Sequence, residues 1–284
     1  MHLPRPEYPR PHFDRSHSWA SCNGTWEFSP DPEQDGEGRG LPDSTQPWPS
    51  QITVPFAWET DASGVGAHWL ACAWYRRTVH VPPGWVGQRV ILHFGAVHHE
   101  ATVWVNGCAV GSHAGGYTPF ELDVTDALIG NRATVVVRAH APVDKRDIAH
   151  GKQRSIPRDD YDGCAFTPSS GIWQPVWLEA RPVAHITDLQ LRPGPDLDSV
   201  LVTVRTAGHS EDSVLSVQLD EGPAVPADLA GGRATLALPV DQPVCGAPKT
   251  PTCTTSPPPC APPMPSTASL ATPGCGPSAQ RQAP

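Results

Sequence analysis

Residues 100–126 read EATVWVNGCAVGSHAGGYTPFELDVTD. Ala101 to Asn106 alternates, with Val103 and Val105 on one face and Thr102, Trp104 and Asn106 on the other. That period of two is the mark of a half-buried strand. Asn106-Gly107 follows at once, and this pair suits the tight hairpin turn whose two central residues need positive φ. Ala109 to Gly111 begins the return strand, Gly115-Gly116 breaks it, and Leu122 and Val124 alternate again toward Thr125-Asp126. Strand, two-residue turn and returning strand belong to an antiparallel β-sandwich.

The same pattern extends in both directions. Upstream, Trp26 and Phe28 share a face after an Asn23-Gly24 turn, Ile52 to Val54 is a brief strand, and Trp74 to Val81 is a long one ended by Pro82-Pro83-Gly84. Proline ends it because it has no N–H to give a ladder. Arg89 to Phe94, Ala133 to Ala139 and Gly171 to Ala180 complete about eight strands over residues 19–181. Between them, residues 29–50 and 140–170 read as long polar loops. No stretch has helical periodicity, so residues 19–182 are expected to form an all-β sandwich of jelly-roll type. The polar, Pro-rich residues 1–18 form an extended arm. A second β pattern starts at His185 and supplies about four strands through Leu238, a partial immunoglobulin-like sandwich over residues 183–242 that needs about seven. With no opposite sheet, the faces carrying Val202, Val204, Leu215, Val217, Leu236 and Leu238 are expected to stand open, so self-association through them is an expected partner mode. Residues 243–284 hold 12 prolines and no aromatic or acidic residue. Such a tail cannot bury enough apolar surface to offset its ordering entropy and is expected to be disordered.

Composition excludes several function classes. The net charge of −9 over 284 residues argues against a nucleic-acid partner and against an anionic membrane surface. No apolar run approaches the roughly 20 residues of a membrane span. MHLPRPEYPRPHF at the start lacks the apolar core of a signal peptide, which makes a cytoplasmic location the expectation. Cys22, Cys72, Cys108 and Cys164 lie far apart and form no CxxC pair, and the other four cysteines sit in the tail. Scattered reduced thiols follow.

The stretch at 100–126, with ITVPFAWE at Ile52–Glu59, AWYRRTVHVP at Ala73–Pro82, VILHFGAV at Val90–Val97 and SGIWQPVWLE at Ser170–Glu179, resembles the sugar-binding domain of glycoside hydrolase family 2. This is the β-galactosidase, β-glucuronidase and β-mannosidase group. The likeness runs over roughly residues 5–240, and its later part resembles the start of the immunoglobulin-like domain that follows in that family. The resemblance implies a retaining β-glycosidase whose two glutamates lie on a TIM barrel further along. The family's acid/base glutamate directly follows an asparagine. Here the three asparagines, Asn23, Asn106 and Asn131, precede Gly, Gly and Arg. No active site is carried over, and the chain is expected to stop before the barrel as the non-catalytic portion, inactive alone. Relatives continue with a segment resembling W-x-x-E-D-P-H-L-Y-D-L. From Pro248 onward, the third codon base of each residue joined to the next two allows Glu, Asp, Pro, His, Leu, Tyr, Asp and Leu in order. The tail therefore reads as an out-of-frame translation beginning near Cys245.

Five residues are candidates for sugar contact. Asp159, Asp160 and Asp162 lie in the long loop before SGIW, from which the resemblance implies that an acidic residue reaches the sugar. A solvated acidic loop and a calcium loop are the other readings, the latter weakened by the lack of a bidentate glutamate at the right spacing. Trp58 and Glu59 follow Pro55-Phe56; the indole either faces a pyranose or packs in the sandwich. His98-His99-Glu100 invites a metal, but alternation sends His99 to the opposite face, and position 103 is valine, so HExxH is not formed. Neither metal nor cofactor is expected. The expected partner is a β-glycoside carbohydrate, bound weakly if at all. A stand-alone lectin-like module and a structural or assembly domain are the alternatives.

Overall fold

The computed structural model describes residues 3–10, 13, 15–67, 70–142, 147–153, 166, 168–219 and 222–240, with the backbone alone at 244–245, 260–261 and 267–271. The chain divides into two compact units, Met1–Pro9 with Ser18–Ala180 and Arg10–His17 with Arg181–Pro284. Residues 1–18 are thus shared between the units. Among the described residues no helix is long and apolar enough to cross a membrane.

The first unit contains β1 Trp19–Ser21, β2 Gly24–Pro30, β3 Ser50–Val54, β4 Cys72–His80, β5 Arg89–Phe94, β6 Val97–His98, β7 Glu100–Val105, β8 Cys108–Ala114, β9 Phe120–Asp123, β10 Arg132–His140, β11 Gly171–Ile172 and β12 Val176–Arg181. They make a four-stranded sheet, β1-β12-β5-β9, a six-stranded sheet, β3-β2-β4-β10-β7-β8, and a short β11-β6 pair. Ladders such as those of β10 with β4, β10 with β7 and β5 with β9 are antiparallel. Alternate residues such as Phe28, Tyr75, Val103 and Val137 from one sheet and Leu92 and Leu178 from the other share one buried core. The unit is therefore the sandwich that the alternation anticipates.

The Asn106-Gly107 turn has φ of 49° and 80°, both positive as the sequence requires. Asn106 also ties this hairpin to its neighbour. Its amide donates to the carbonyls of Ala127 at 2.7 Å and Arg132 at 3.2 Å and accepts from the Thr134 amide at 2.9 Å.

Both outer faces of the sandwich are covered, which alternation does not reveal. On the six-stranded sheet, Trp74 and Trp104 stack at 5.2 Å and, with Val136, form a second small core under Leu41 and Trp48. The covering segment, residues 31–49, is held by buried Asp31. Its carboxylate accepts from Trp74 Nε1 at 2.7 Å, from the amides of Gly36 at 3.0 Å and Asp35 at 3.2 Å, and from Arg39 at 3.0 Å. Burial pushes this carboxyl up, but the four donors together leave it below its ordinary value. Arg76 lies 4.6 Å over the Trp48 ring and pairs with Glu27 at 2.7 Å. What reads as a featureless loop is a lid on two tryptophans. On the four-stranded sheet, His93 stacks on Trp177 at 4.7 Å, and Glu179 beside them accepts from Tyr8 of the N-terminal segment at 2.6 Å.

The second unit contains β13 His185–Pro193, β14 Ser199–Ala207, β15 Val214–Gln218, β16 Val225–Ala227 and β17 Arg233–Pro239, with short strands β18 Val244–Cys245, β19 Cys260–Ala261 and β20 Thr267–Ala271 in the Pro-rich tail. Its three-stranded sheets are β13-β14-β17 and β16-β15-β20. The expected open faces are not seen. Val202, Val204, Leu215, Val217 and Leu238 are all buried in one cluster, with Leu236 packed half-buried against it and Phe13 of the N-terminal segment inside it. The sequence reading missed β16 because it is three residues long and contains Pro226, which an edge strand tolerates. In the tail, the longest proline-free window is 266–272, and β20 falls within it. The rest of the tail, on which the expectation of disorder chiefly rests, lies outside the described residues.

Candidate functional site

The site grows from the segment after β3. Ala57 to Ala67 closes on itself. The Ala67 amide donates to the Trp58 carbonyl at 2.9 Å, and the hydroxyls of Thr60 and Ser63 donate to Ala57 O at 2.7 Å and Thr60 O at 2.7 Å. This compact turn sends two consecutive buried side chains in different directions, one into the core and one to the wall of a cleft. Trp58, 1% exposed, belongs to the core. Its ring stacks near Tyr75 at 6.4 Å and tilts against Phe28 at 6.2 Å. Packing, the second of the two readings of this residue, describes its surroundings. Glu59, next in the chain, lines an open cleft of about 520 Å³ with Thr60, His150, Lys152, Gln153, Phe166 and Ser169.

Five of these seven residues come from the two ends of the long loop that joins β10 to β11. Gln153 stitches the ends together. Its carbonyl oxygen accepts from the Ser169 amide at 2.9 Å, and its amide donates to the Tyr117 hydroxyl at 3.1 Å. The Phe166 amide donates to the Lys152 carbonyl at 3.1 Å. Tyr117 meets Trp173 edge to face at 5.9 Å, and Trp173 donates its indole N–H to Gly116 O at 2.8 Å. Phe166 is 63% exposed and Tyr117 50%, so two aromatic faces stand at the surface here. Asp159, Asp160 and Asp162 lie outside the described residues.

Behind the cleft, Gly171 lets the backbone of β11 pass close to Tyr75. The Tyr75 hydroxyl accepts from the Ile172 amide at 3.3 Å. Burial drives this phenol's ionisation far upward. The Ile172 amide works against that rise, and the negative charge of Glu59 adds to it. Tyr75 is therefore a neutral wall. Burial pushes the Cys22 thiol up to about 12 and also raises Cys72, so neither of these two buried thiols is a ready nucleophile. His98 and Glu100 are not neighbours on one continuous strand, because β6 ends at His98 and β7 begins at Glu100. Glu100 instead faces His140 at 3.2 Å, and His98 packs edge to face on Tyr117 at 5.7 Å.

Among the described residues lining the cleft, Glu59 is the only carboxylate. A retaining glycosidase needs two, about 5–5.5 Å apart. The arrangement has instead what a sugar-binding surface needs: hydroxyl, amide and charged groups beside an exposed aromatic ring. The sequence singled out Glu59 but passed over Thr60, His150, Lys152, Gln153, Phe166 and Ser169. The aspartates drew attention in that loop by their density; Gln153 and Phe166 carry no pattern that marks them.

The chain belongs to the glycosyl hydrolases family 2: the family model described as "Glycosyl hydrolases family 2, sugar binding domain" matches residues 19–182. Its relatives include the β-glucuronidase of Paenibacillus borealis, 36% identical over 124 residues, which are 40% of this chain and 20% of that protein. The β-glucuronidase of Sus scrofa is 28% identical over 262 residues, 81% of this chain and 39% of that protein. A solved β-glucuronidase from an uncultured Clostridium sp. superposes with a TM-score of 0.65 at 21% identity, covering 93% of this chain and 43% of that one. That likeness is one of fold. The chain thus spans between about a fifth and two fifths of the length of these curated relatives.

Proposed function

We propose that the chain is the non-catalytic sugar-binding portion of a family 2 enzyme that hydrolyses β-glycosides, of the β-glucuronidase kind, with retention of configuration. The acid/base and nucleophile glutamates come from sequence outside these 284 residues. The observation that carries this is the match of residues 19–182, most of the first unit, to the family's sugar binding domain. Three findings support it: the cleft has one described carboxylate, no asparagine in the chain precedes a glutamate, and the relatives named above are β-glucuronidases. In this reading the jelly roll borders the active site and shapes the sugar pocket, and an acidic residue among Asp159, Asp160 and Asp162 is the one that reaches the sugar. A cytoplasmic setting is supported by the free thiols of Cys22, Cys72 and Cys108.

The purified chain is expected to give no turnover of nitrophenyl β-glucuronide, β-galactoside or β-mannoside above buffer. General acid catalysis alone contributes about 10²–10⁴-fold, and here the nucleophile is also absent. Hydrolysis that stays with the chain through purification and is lost in Glu59→Gln or Asp160→Asn would refute the proposal.

A further inference from the structure

We infer that Asn106-Gly107, the turn of the β7–β8 hairpin, is a self-modification site at which the folded chain loses ammonia and becomes aspartate and isoaspartate. The chemistry needs only water. The Gly107 amide nitrogen attacks Cγ of Asn106, the Cγ–Nδ2 bond breaks, and ammonia leaves carrying the amide proton. Water then opens the resulting five-membered imide at either carbonyl. A glycine after the asparagine leaves this attack unhindered by a side chain. The chain has two such pairs, Asn23-Gly24 and Asn106-Gly107, and the fold treats them differently. Asn23 is 1% exposed. Its amide donates to the carbonyls of Pro4 at 3.3 Å and Arg5 at 3.1 Å, and its carbonyl oxygen accepts from the Val176 amide at 2.9 Å. Gly24 already belongs to β2 and pairs with Val54. Ring closure there requires the N-terminal segment and β12 to release the side chain together. Asn106 is half-buried at a hairpin end whose next residues, Cys108 and Ala109, are exposed. Among the described residues the Gly107 amide has no hydrogen-bond partner, so the attacking nitrogen is already unengaged. Freeing the Asn106 side chain breaks its bonds to Ala127, Arg132 and Thr134, an opening confined to one end of the sheet. Two charges act against this ordering. The Arg77 guanidinium lies beside Gly24 and favours an anionic amide, whereas the Asp43 carboxylate lies against Gly107 and opposes one. Charges of this kind change a rate about fivefold at most, which opening a buried segment outweighs. The modification has a structural result. An aspartate side chain cannot donate to the Ala127 and Arg132 carbonyls and sets a negative charge against them, so the side-chain tie between the hairpin and its neighbours is lost.

The test is peptide mapping by mass spectrometry of the full chain held in mildly alkaline buffer, once folded and once in urea. The rates in urea give the intrinsic reactivity of each pair. Folding is expected to slow Asn23 at least about tenfold more than Asn106, the effect of a barrier difference of about 1.4 kcal/mol. Asp43→Asn should raise the folded rate at Asn106 by up to about fivefold and leave the rate in urea unchanged. Asn106→Asp stands for the product. The loss of its two donated hydrogen bonds should raise the unfolding constant by about tenfold and lower the unfolding midpoint. Equal slowing of the two asparagines, or stronger slowing of Asn106, overturns the assignment. A folded chain that keeps both asparagines while the urea sample converts overturns the site altogether. An unchanged folded rate in Asp43→Asn overturns the restraint assigned to that carboxylate. A midpoint for Asn106→Asp equal to that of the unaltered chain overturns the structural result.

Discussion

Glu179→Ala is expected to destabilise the first unit by about 3–5 kcal/mol, the usual cost of removing one partner from a buried charged network. For a unit of this size that is a fall of roughly 10 °C in the unfolding midpoint. The carboxylate is fully buried, yet it accepts from the Tyr8 hydroxyl at 2.6 Å, Trp177 Nε1 at 2.9 Å and His93 Nε2 at 3.3 Å. The His93 ring lies flat on Trp177, with Glu121 at 3.5 Å from its other nitrogen. Removing Glu179 strips a carboxylate partner from two buried N–H donors and from the hydroxyl that ties Tyr8 to the sheet. Acid should act on the same group. Burial pushes the Glu179 carboxyl up, but His93, Tyr8 and Trp177 outweigh it and hold the group well below its ordinary 4.5. A depressed value in the folded state means that the stabilisation is complete above about pH 4.5 and is lost progressively as pH falls toward the folded value. Glu179→Gln keeps the shape and removes the charge. Its stability should depend less steeply on pH below 4.5 than that of the unaltered chain. Parallel curves for the two proteins would show that Glu179 is not the group that titrates.

Gly171→Ala is the second substitution with a large expected effect. The added methyl would stand 2.0 Å from the Tyr75 hydroxyl and 2.6 Å from the Trp58 ring, at a backbone φ of +74°. Forcing an alanine into that left-handed conformation costs about 1–2 kcal/mol. Overpacking a filled core costs about 1–3 kcal/mol more. The total, about 2–5 kcal/mol, should appear as a lowered unfolding midpoint together with altered tryptophan fluorescence. Gly64→Ala is the matched control. Its φ is +80°, but nothing lies within 4 Å of the added carbon, so only the backbone share should be seen. Equal losses at the two positions would mean that Trp58 and Tyr75 yield freely, and that the wall behind the cleft is not rigid.

The strands were legible because the first unit buries alternate residues, and a period of two survives in any stretch with one wet face. Arg89 to Phe94 and the Asn106-Gly107 turn come out at the positions their pattern implies. Alternation is silent where both faces are covered. Trp74 and Trp104 sit on the face opposite Tyr75 and Val103 yet are buried, since residues 31–49 return over them, and that return depends on an Asp31–Trp74 contact across 43 positions. The same blindness applies to Trp58 and Glu59. Their order in the sequence is visible, but which of the two joins the core and which lines the cleft depends on the Ala57–Ala67 turn. In the second unit the open faces were inferred from a strand count that omitted β16 and β20, two strands set among prolines. The cleft residues were the least legible, because they meet only when Gln153 joins the two ends of a loop.

The placing of β1 beside β12 has a consequence for synthesis. Trp19 pairs with Glu179, so the first strand of this unit waits for the last. β12 is not at the edge but lies between β1 and β5. A nascent chain emerging from the ribosome therefore holds the Tyr8 segment and β1 without a seat, and β5 with an open side, until about residue 181 has been made. Contacts so distant along the chain place this unit among slow-folding topologies. During that interval the exposed side of β5, RVILHF, is the surface that a chaperone would have to shield.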